Sequence, residues 1–239
     1  MIGLEHAGAF AVWYVVFLFT LTMHEGGHAL VAWLLGDDTA YRGGQVSLNP
    51  WPHVRREPFG TVLVPILTYV WSGWMMGWAS SPYDAAWGRR HPRRLAAMSA
   101  AGPGANLLLA VLAFTVIKML LGAGLFAPPD RIDFSHVTAA AAGTPADSLL
   151  HPLAFCLSVA LNLNLLLCLF NLIPFPPLDG GGILQGLFPD SVGRMLDGLS
   201  GNPMLSLAGL LVAWRIFDFV YRPAFAILVR LLYPAVAYD

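Results

Sequence analysis

Charge is what this sequence is short of. Only 11% of its 239 residues are Asp, Glu, Lys or Arg, while 57% are apolar. That much apolar surface cannot be hidden in one soluble core, so lipid must cover the remainder. The net charge of −1 excludes the basic footprint of a nucleic-acid binder and gives no lever on an acidic partner. Cysteine is scarce as well. Cys156 and Cys168 both fall in an apolar stretch, where they read as small packing residues rather than a disulfide and leave the redox compartment open. No glycine-rich phosphate loop and no internal repeat stands out. A cleaved signal peptide is not expected either. Met1 to His6 carries no positive region, and removing the apolar run that follows would destroy the motif His24-Glu25-Gly26-Gly27-His28.

That motif carries one of only three glutamates in the chain, and it lies inside a continuous apolar run from Phe10 to Leu35. On a helix, residues four apart sit about 40° from each other around the axis, so both imidazoles reach one cation while Glu25 projects beside it. Two His ligands leave room for a third protein ligand and a water, and a neighbouring carboxylate can take the water's proton. An ionisable group at the centre of a membrane helix costs about 2.5–3.5 kcal/mol and marks function by default. The competing reading, a structural His pair in a helix bundle, leaves Glu25 without a role.

Four spanning segments are expected: His6 to Leu35, Leu95 to Leu121, His151 to Phe170, and a run after Pro203 that carries Arg215 and Asp218 and ends near Tyr221-Arg222-Pro223. Arg215 and Asp218 read as an ion pair near the outer interface. Pro58 to Ala79 is apolar but broken by Gly60, Pro65, Gly73 and Gly77, which fits a full span, a re-entrant pair of half helices or an interfacial segment. Between the first two, Gln45-Val46-Ser47-Leu48 alternates like a short strand before the turn at Asn49-Pro50. The basic cluster from Arg89 to Arg94 marks a cytoplasmic face, which would put residues 123–150, rich in Ala, Pro and Asp, outside as a mobile loop. The first span then runs inward with His24 and His28 in its cytoplasmic half.

The best candidate for a third ligand lies far downstream, in the stretch from Asn171 to Gly182 that contains Pro174, Pro176, Pro177 and Asp179. Three prolines followed by three glycines break the backbone within a span, and such breaks survive in lipid only where they line a cavity or pack in protein. On the break, Asp179 either points into the bundle and completes a two-His, one-carboxylate site or caps the helix that starts at Gly180. His53, alone in a loop, reads as solvated.

Three motifs in this order, HEGGH from His24, Gly102-Pro103-Gly104-Ala105-Asn106 opening a middle span, and NLIPFPPLDGG from Asn171, resemble the site-2 proteases, the intramembrane zinc metalloproteases. The resemblance covers roughly residues 10–190, including the LNP turn at Leu48 to Pro50, and departs at Gly182, where many members carry Arg. With no inserted PDZ domain and no C-terminal nucleotide-sensing domain, the chain looks like a minimal member. The resemblance implies one Zn2+ per chain on His24, His28 and Asp179, with Glu25 as the base that activates water. It also implies a role for Asn171 at the substrate or the oxyanion. Asn106 would tie span to span, Gly102 and Gly104 would let helices approach closely, and Pro103 would be structural beside them. The strand carrying Val46 and Leu48 could take up an unwound substrate by β-addition.

The expected architecture is an all-α polytopic bundle with a short membrane-associated β-hairpin or strand and a broken helix at the metal site. It forms one domain over 1–239, with its core at 6–190 and a C-terminal helical segment at 203–236. The expected activity is hydrolysis of a peptide bond in a transmembrane-helix substrate, among membrane lipids, in a multi-pass protein of a prokaryotic membrane. The alternative is a metal-binding membrane protein or transporter without hydrolysis. Oligomeric state is not legible.

Overall fold

The computed structural model describes residues 4–200 and 203–234, so the last positions of the segment expected at 203–236 lie outside the described residues. The apolar run forms α1 (Leu4–Leu34) and stops at the glycine: Gly36 takes φ +99°, and Asp37 N donates back to Ala32 O at 2.9 Å. That is the wrap-back bond of a left-handed glycine cap. The Asp37 carboxylate then fixes the exit, accepting from Thr39 N at 3.0 Å and from Asp84 N at 2.8 Å.

Two short helices follow, α2 (Thr39–Arg42) and α3 (Trp51–Arg56). Between them, residues 45–48 do not form the expected strand. Gly44 turns at φ +74°, the Gln45 amide is drawn inward to donate to Ser80 O at 2.9 Å, and Asn49 Oδ1 accepts from Trp51 N at 3.0 Å. With side chains and turns claiming the segment and no strand beside it, it stays irregular. The β-structure found among the described residues lies elsewhere, in the antiparallel pair β1 (Phe126–Ala127) and β2 (Ala139–Ala140).

The interrupted segment at 58–79 is a hairpin. One arm is a π-helical turn over Phe59–Leu63 that runs into α4 (Val64–Ser72). Gly73 reverses the chain at φ +77°, and an irregular arm returns until Trp78 N donates to Gly60 O at 3.1 Å. Because the arms meet at one end, the segment has the shape of a re-entrant hairpin, with one arm helical rather than two. Side chains at Gly60 or Gly77 would overlap the opposite arm, which is why glycine occupies both positions.

After α5 (Ala85–Arg90) come the long helices α6 (Pro92–Gly122) and α7 (Leu150–Asn171), then α8 (Asp179–Leu187), α9 (Arg194–Ser200) and α10 (Pro203–Leu232). Four helices are long and apolar enough to cross a membrane: His6–Leu34, Pro92–Gly122, Leu150–Asn171 and Met204–Leu232. The chain is an all-α integral membrane protein. Its last span does not end near Pro223 but continues through it to Leu232, as membrane helices tolerate when neighbouring groups satisfy the freed backbone.

The core is built by α1, α6 and α7. Trp13, Phe17 and Leu21 of α1 pack with Val159 and Leu163 of α7 and with Met75 of the hairpin; Ile117 of α6 packs with Leu161, Val137, Leu232 and Tyr233. The loop over 123–149 is not the free segment its composition implied. Val137 N and Thr138 N donate to Ser158 Oγ at 3.0 and 3.2 Å, and Asn162 Nδ2 donates to Phe134 O at 2.7 Å, so helix side chains hold the loop in the bundle. The expected Arg215–Asp218 pair is also replaced. Asp218 pairs with Arg222 at 3.1 Å, and Arg215 lines a cavity of about 630 Å³ with Trp74, Asp133 and Trp214. Asp218 falls near the middle of α10, roughly 20 Å from either end at ~1.5 Å per residue.

Candidate metal centre

His24 and His28, one helical turn apart on α1, turn to the same side. Their Nε2 atoms lie 3.1 Å apart, and each approaches Asp179: His24 Nε2 is 3.2 Å from Oδ2, and His28 Nε2 is 3.2 Å from Oδ1. One ligand atom from each of the three falls within 4.8 Å of the others. Both histidines are 6% exposed, so the group is closed to bulk water on most sides.

Asp179 reaches them because α7 stops at Asn171 and the chain turns before α8. Phe175 N donates to Ile173 O at 2.8 Å and Leu178 N to Phe175 O at 2.9 Å, tight turns among the prolines. Asp179 does not cap the new helix. Leu178 holds that position, and the Asp179 carboxylate, on the first helical residue, faces the imidazoles. The glycines behind it are required by contact: a side chain at Gly180 would overlap the carbonyls of Leu172 and Ile173, and one at Gly182 would overlap Ser99 Oγ on α6.

The polar atoms of this group suit a cation. His28 Nδ1 lies 2.8 Å from Met98 O, a carbonyl that only accepts, so the ring proton sits there. His24 Nδ1 lies 2.5 Å from Asn106 Oδ1, again an acceptor. In the neutral rings both Nε2 atoms then present lone pairs, and they face a carboxylate whose Oδ2 is buried 3.2 Å from His24 Nε2. Three electron-rich atoms converging in a dry site repel one another unless a positive ion lies between them. Two imidazoles and one carboxylate are also the donor set of a catalytic zinc site with an open position.

The other expected residues fall around this centre. Glu25, 5% exposed, lines the same cavity of about 290 Å³ as the three putting their ligand atoms together, along with Ser80, Ser81, Ser99 and Asn171. Asn171 donates its amide hydrogen to Leu167 O at 3.0 Å, the helix-end bond, while lining the cavity. Gly102 lets α6 lie on the imidazoles, since a side chain there would overlap His28 and crowd His24. Pro103 is buried beside it inside α6. Gly104, expected to do the same as Gly102, meets nothing within 4 Å and faces open space. Val46 is half-buried and Leu48 is 69% exposed. Their segment runs along α1, with Ser47 O 3.5 Å from where a Cβ on Gly26 would lie.

Sequence reasoning passed over several residues. His53 is not solvated but 1% exposed in α3, with its Nε2 lacking a hydrogen-bond partner, and burial pulls its imidazole below the ordinary 6.5. Asn164 of α7 and Thr20 of α1 join the network behind His24. Their signal was available, because amides inside an apolar helix seek a partner.

Residues 12–213 match peptidase family M50. This chain belongs to that family. Among curated relatives of this M50 peptidase, the Bacillus subtilis (strain 168) protein named "Putative zinc metalloprotease YwhC" is 34% identical over 74% of this chain and 69% of its own length. Proteins named "Putative zinc metalloprotease Rip2" from Mycolicibacterium smegmatis and Mycobacterium tuberculosis are 29% and 30% identical over 76% of this chain, which spans 59% of their length. No solved structure matches the chain significantly.

Proposed function

We propose that this M50 peptidase is an intramembrane zinc endopeptidase that hydrolyses a peptide bond in or near a transmembrane helix of another membrane protein. The observation that carries this reading is the convergence of two imidazole nitrogens and the Asp179 carboxylate beside buried Glu25, inside a bundle of helices long and apolar enough to cross a membrane. The relatives' names point to zinc.

His24, His28 and Asp179 would hold the ion, which supplies Lewis acidity and lowers the pKa of bound water to about 7. Glu25 takes a proton from the attacking water as its oxygen bonds to the scissile carbonyl carbon, then delivers that proton to the leaving nitrogen as the C–N bond breaks. The Asn171 carboxamide, at the cavity wall, would hold the substrate or the developing oxyanion.

A helical substrate keeps its carbonyl hydrogen-bonded and must unwind before attack. The backbone amides of Val46, Ser47 and Leu48 make no hydrogen bond to the described residues, so they are open to an extended substrate although they form no strand of their own. Replacing Val46 or Leu48 by Pro is expected to abolish cleavage and leave zinc content unchanged; normal cleavage would remove this segment from substrate binding. With the basic cluster at the start of α6 on the cytoplasmic face, the centre lies in the cytoplasmic half of the membrane. The chain forms one domain over 1–239 with lipid around it, in a prokaryotic membrane.

Zinc content and cleavage of a transmembrane peptide, measured in nanodiscs for the wild type beside Glu25→Gln, test this reading. Zinc in both with cleavage by the wild type alone is expected. Cleavage by Glu25→Gln at the wild-type rate would remove Glu25 as base, and well-folded protein without zinc would overturn the site.

A further inference from the structure

Behind His24 stands a buried ladder of amides that the hydrolytic reading does not use. Asn164 Nδ2 lies 2.8 Å from Ala160 O and 3.0 Å from Thr20 Oγ1. A backbone carbonyl cannot donate, so this end of the Asn164 amide must be its nitrogen. Its oxygen is thereby turned to Asn106, 2.9 Å away, and accepts from Asn106 Nδ2. That bond in turn points Asn106 Oδ1 at His24 Nδ1. Thr20, Asn106 and Asn164 are each 1% exposed or less, so no bulk water competes for these groups and the direction of each bond fixes the next.

We propose that Asn164, which does not touch His24, is a positioning residue that sets the tautomer of its imidazole. The chain of bonds from the Ala160 carbonyl holds the His24 proton on Nδ1 and leaves the Nε2 lone pair free for a cation. Without it the metal-free site would relax the other way. A proton on Nε2 could be donated to Asp179 Oδ2, 3.2 Å off, and the ring would meet an incoming ion with an N–H. Removing Asn164 releases the Asn106 amide to rotate, put its NH2 against Nδ1 and drive this change. His28 is outside the ladder, because Met98 O sets its tautomer independently, and it serves as an internal control. The inference rests on the reading of His24 as a zinc ligand. It adds that affinity for the ion is decided partly on α7, two amides away. Partners in the outer shell of a metal ligand are worth about 10- to 100-fold in metal affinity.

The test uses full-length, metal-free protein labelled with 15N at histidine. Ring nitrogen shifts report the tautomer, and competition with a chromophoric chelator reports zinc affinity. At a pH where the rings are neutral, both His24 and His28 of the wild type are expected as the Nδ1–H form. In Asn164→Leu, His24 is expected to gain the Nε2–H form with His28 unchanged, and zinc affinity to fall about 10- to 100-fold. Adding Asn106→Asp to Asn164→Leu is expected to restore both, because a carboxylate facing Nδ1 accepts the proton. A purely structural role predicts that the double variant is worse than the single one, and that result would overturn the proposal. So would an unchanged tautomer and affinity in Asn164→Leu. If Asn164→Leu does not fold, Asn106→Asp and Asn106→Leu replace it: retention of the Nδ1–H form by the first and loss by the second is expected, and equal loss would overturn the proposal. A wild type that binds no zinc would remove the ligand reading, and this inference with it.

Discussion

A single methyl group decides whether α6 can lie against the imidazoles of α1. At Gly102 a Cβ would overlap His28 and press on His24, whereas two residues on, at Gly104, it meets nothing. Overpacking costs about 1–3 kcal/mol and displaces its neighbours. Gly102→Ala is therefore expected to lower zinc content well below one per chain, and Gly104→Ala to leave zinc unchanged with stability within about 0.5 kcal/mol of wild type. Atomic absorption on the two purified variants checks both. His53 offers a pH effect whose sign follows from its burial. Its folded-state pKa lies below the ordinary 6.5, so the unfolded chain binds the proton more readily. The neutral ring's contribution to stability is full above about pH 6.5 and is lost as pH falls below it. The melting temperature is expected to drop between pH 7 and pH 5, and to drop less steeply in His53→Leu.

The hairpin at 58–79 depends on the contact between its arms. Gly77→Val would push the returning arm off Gly60 and free the chain that carries Ser80 and Ser81 along the cavity wall. Cleavage of a transmembrane peptide is expected to fall at least tenfold while zinc content stays at the wild-type level. Much of this arrangement was legible beforehand, where local chemistry decides the outcome. The Gly36 stop, the first three apolar spans and the i, i+4 histidines depend on residues close in sequence, and they appear where they were expected. Asp179 was reachable too, since a broken helix at membrane depth needs something to line. What could not be read depends on distant partners. Residues 45–48 alternate like a strand, but no second strand comes beside them. The Ala- and Pro-rich loop is held by Ser158 and Asn162, which no local pattern links to it. Asn164 bonds Asn106 and Thr20, residues 58 and 144 positions away.

An ion on His24, His28 and Asp179 would staple α1 to α8 and hold the proline-rich break in place. Anything that binds the folded state alone stabilises it, by about 4 kcal/mol at a thousandfold excess over its dissociation constant. Chelation is expected to lower the melting temperature and to raise hydrogen exchange first over residues 174–182. Exchange rising first in α7 instead would argue that the staple lies elsewhere. The three ligands are far apart along the chain, with His28 separated from Asp179 by roughly 150 residues. At about 5–20 residues per second, the ribosome needs on the order of 10–30 s to make that stretch. Over that interval Met98 and Asn106 are made early enough to meet the Nδ1 atoms of His28 and His24, while both Nε2 atoms still lack the Asp179 carboxylate. An ion site that needs all three residues would thus stay incomplete, and hydrolysis by it would stay silent, until the chain has passed Asp179.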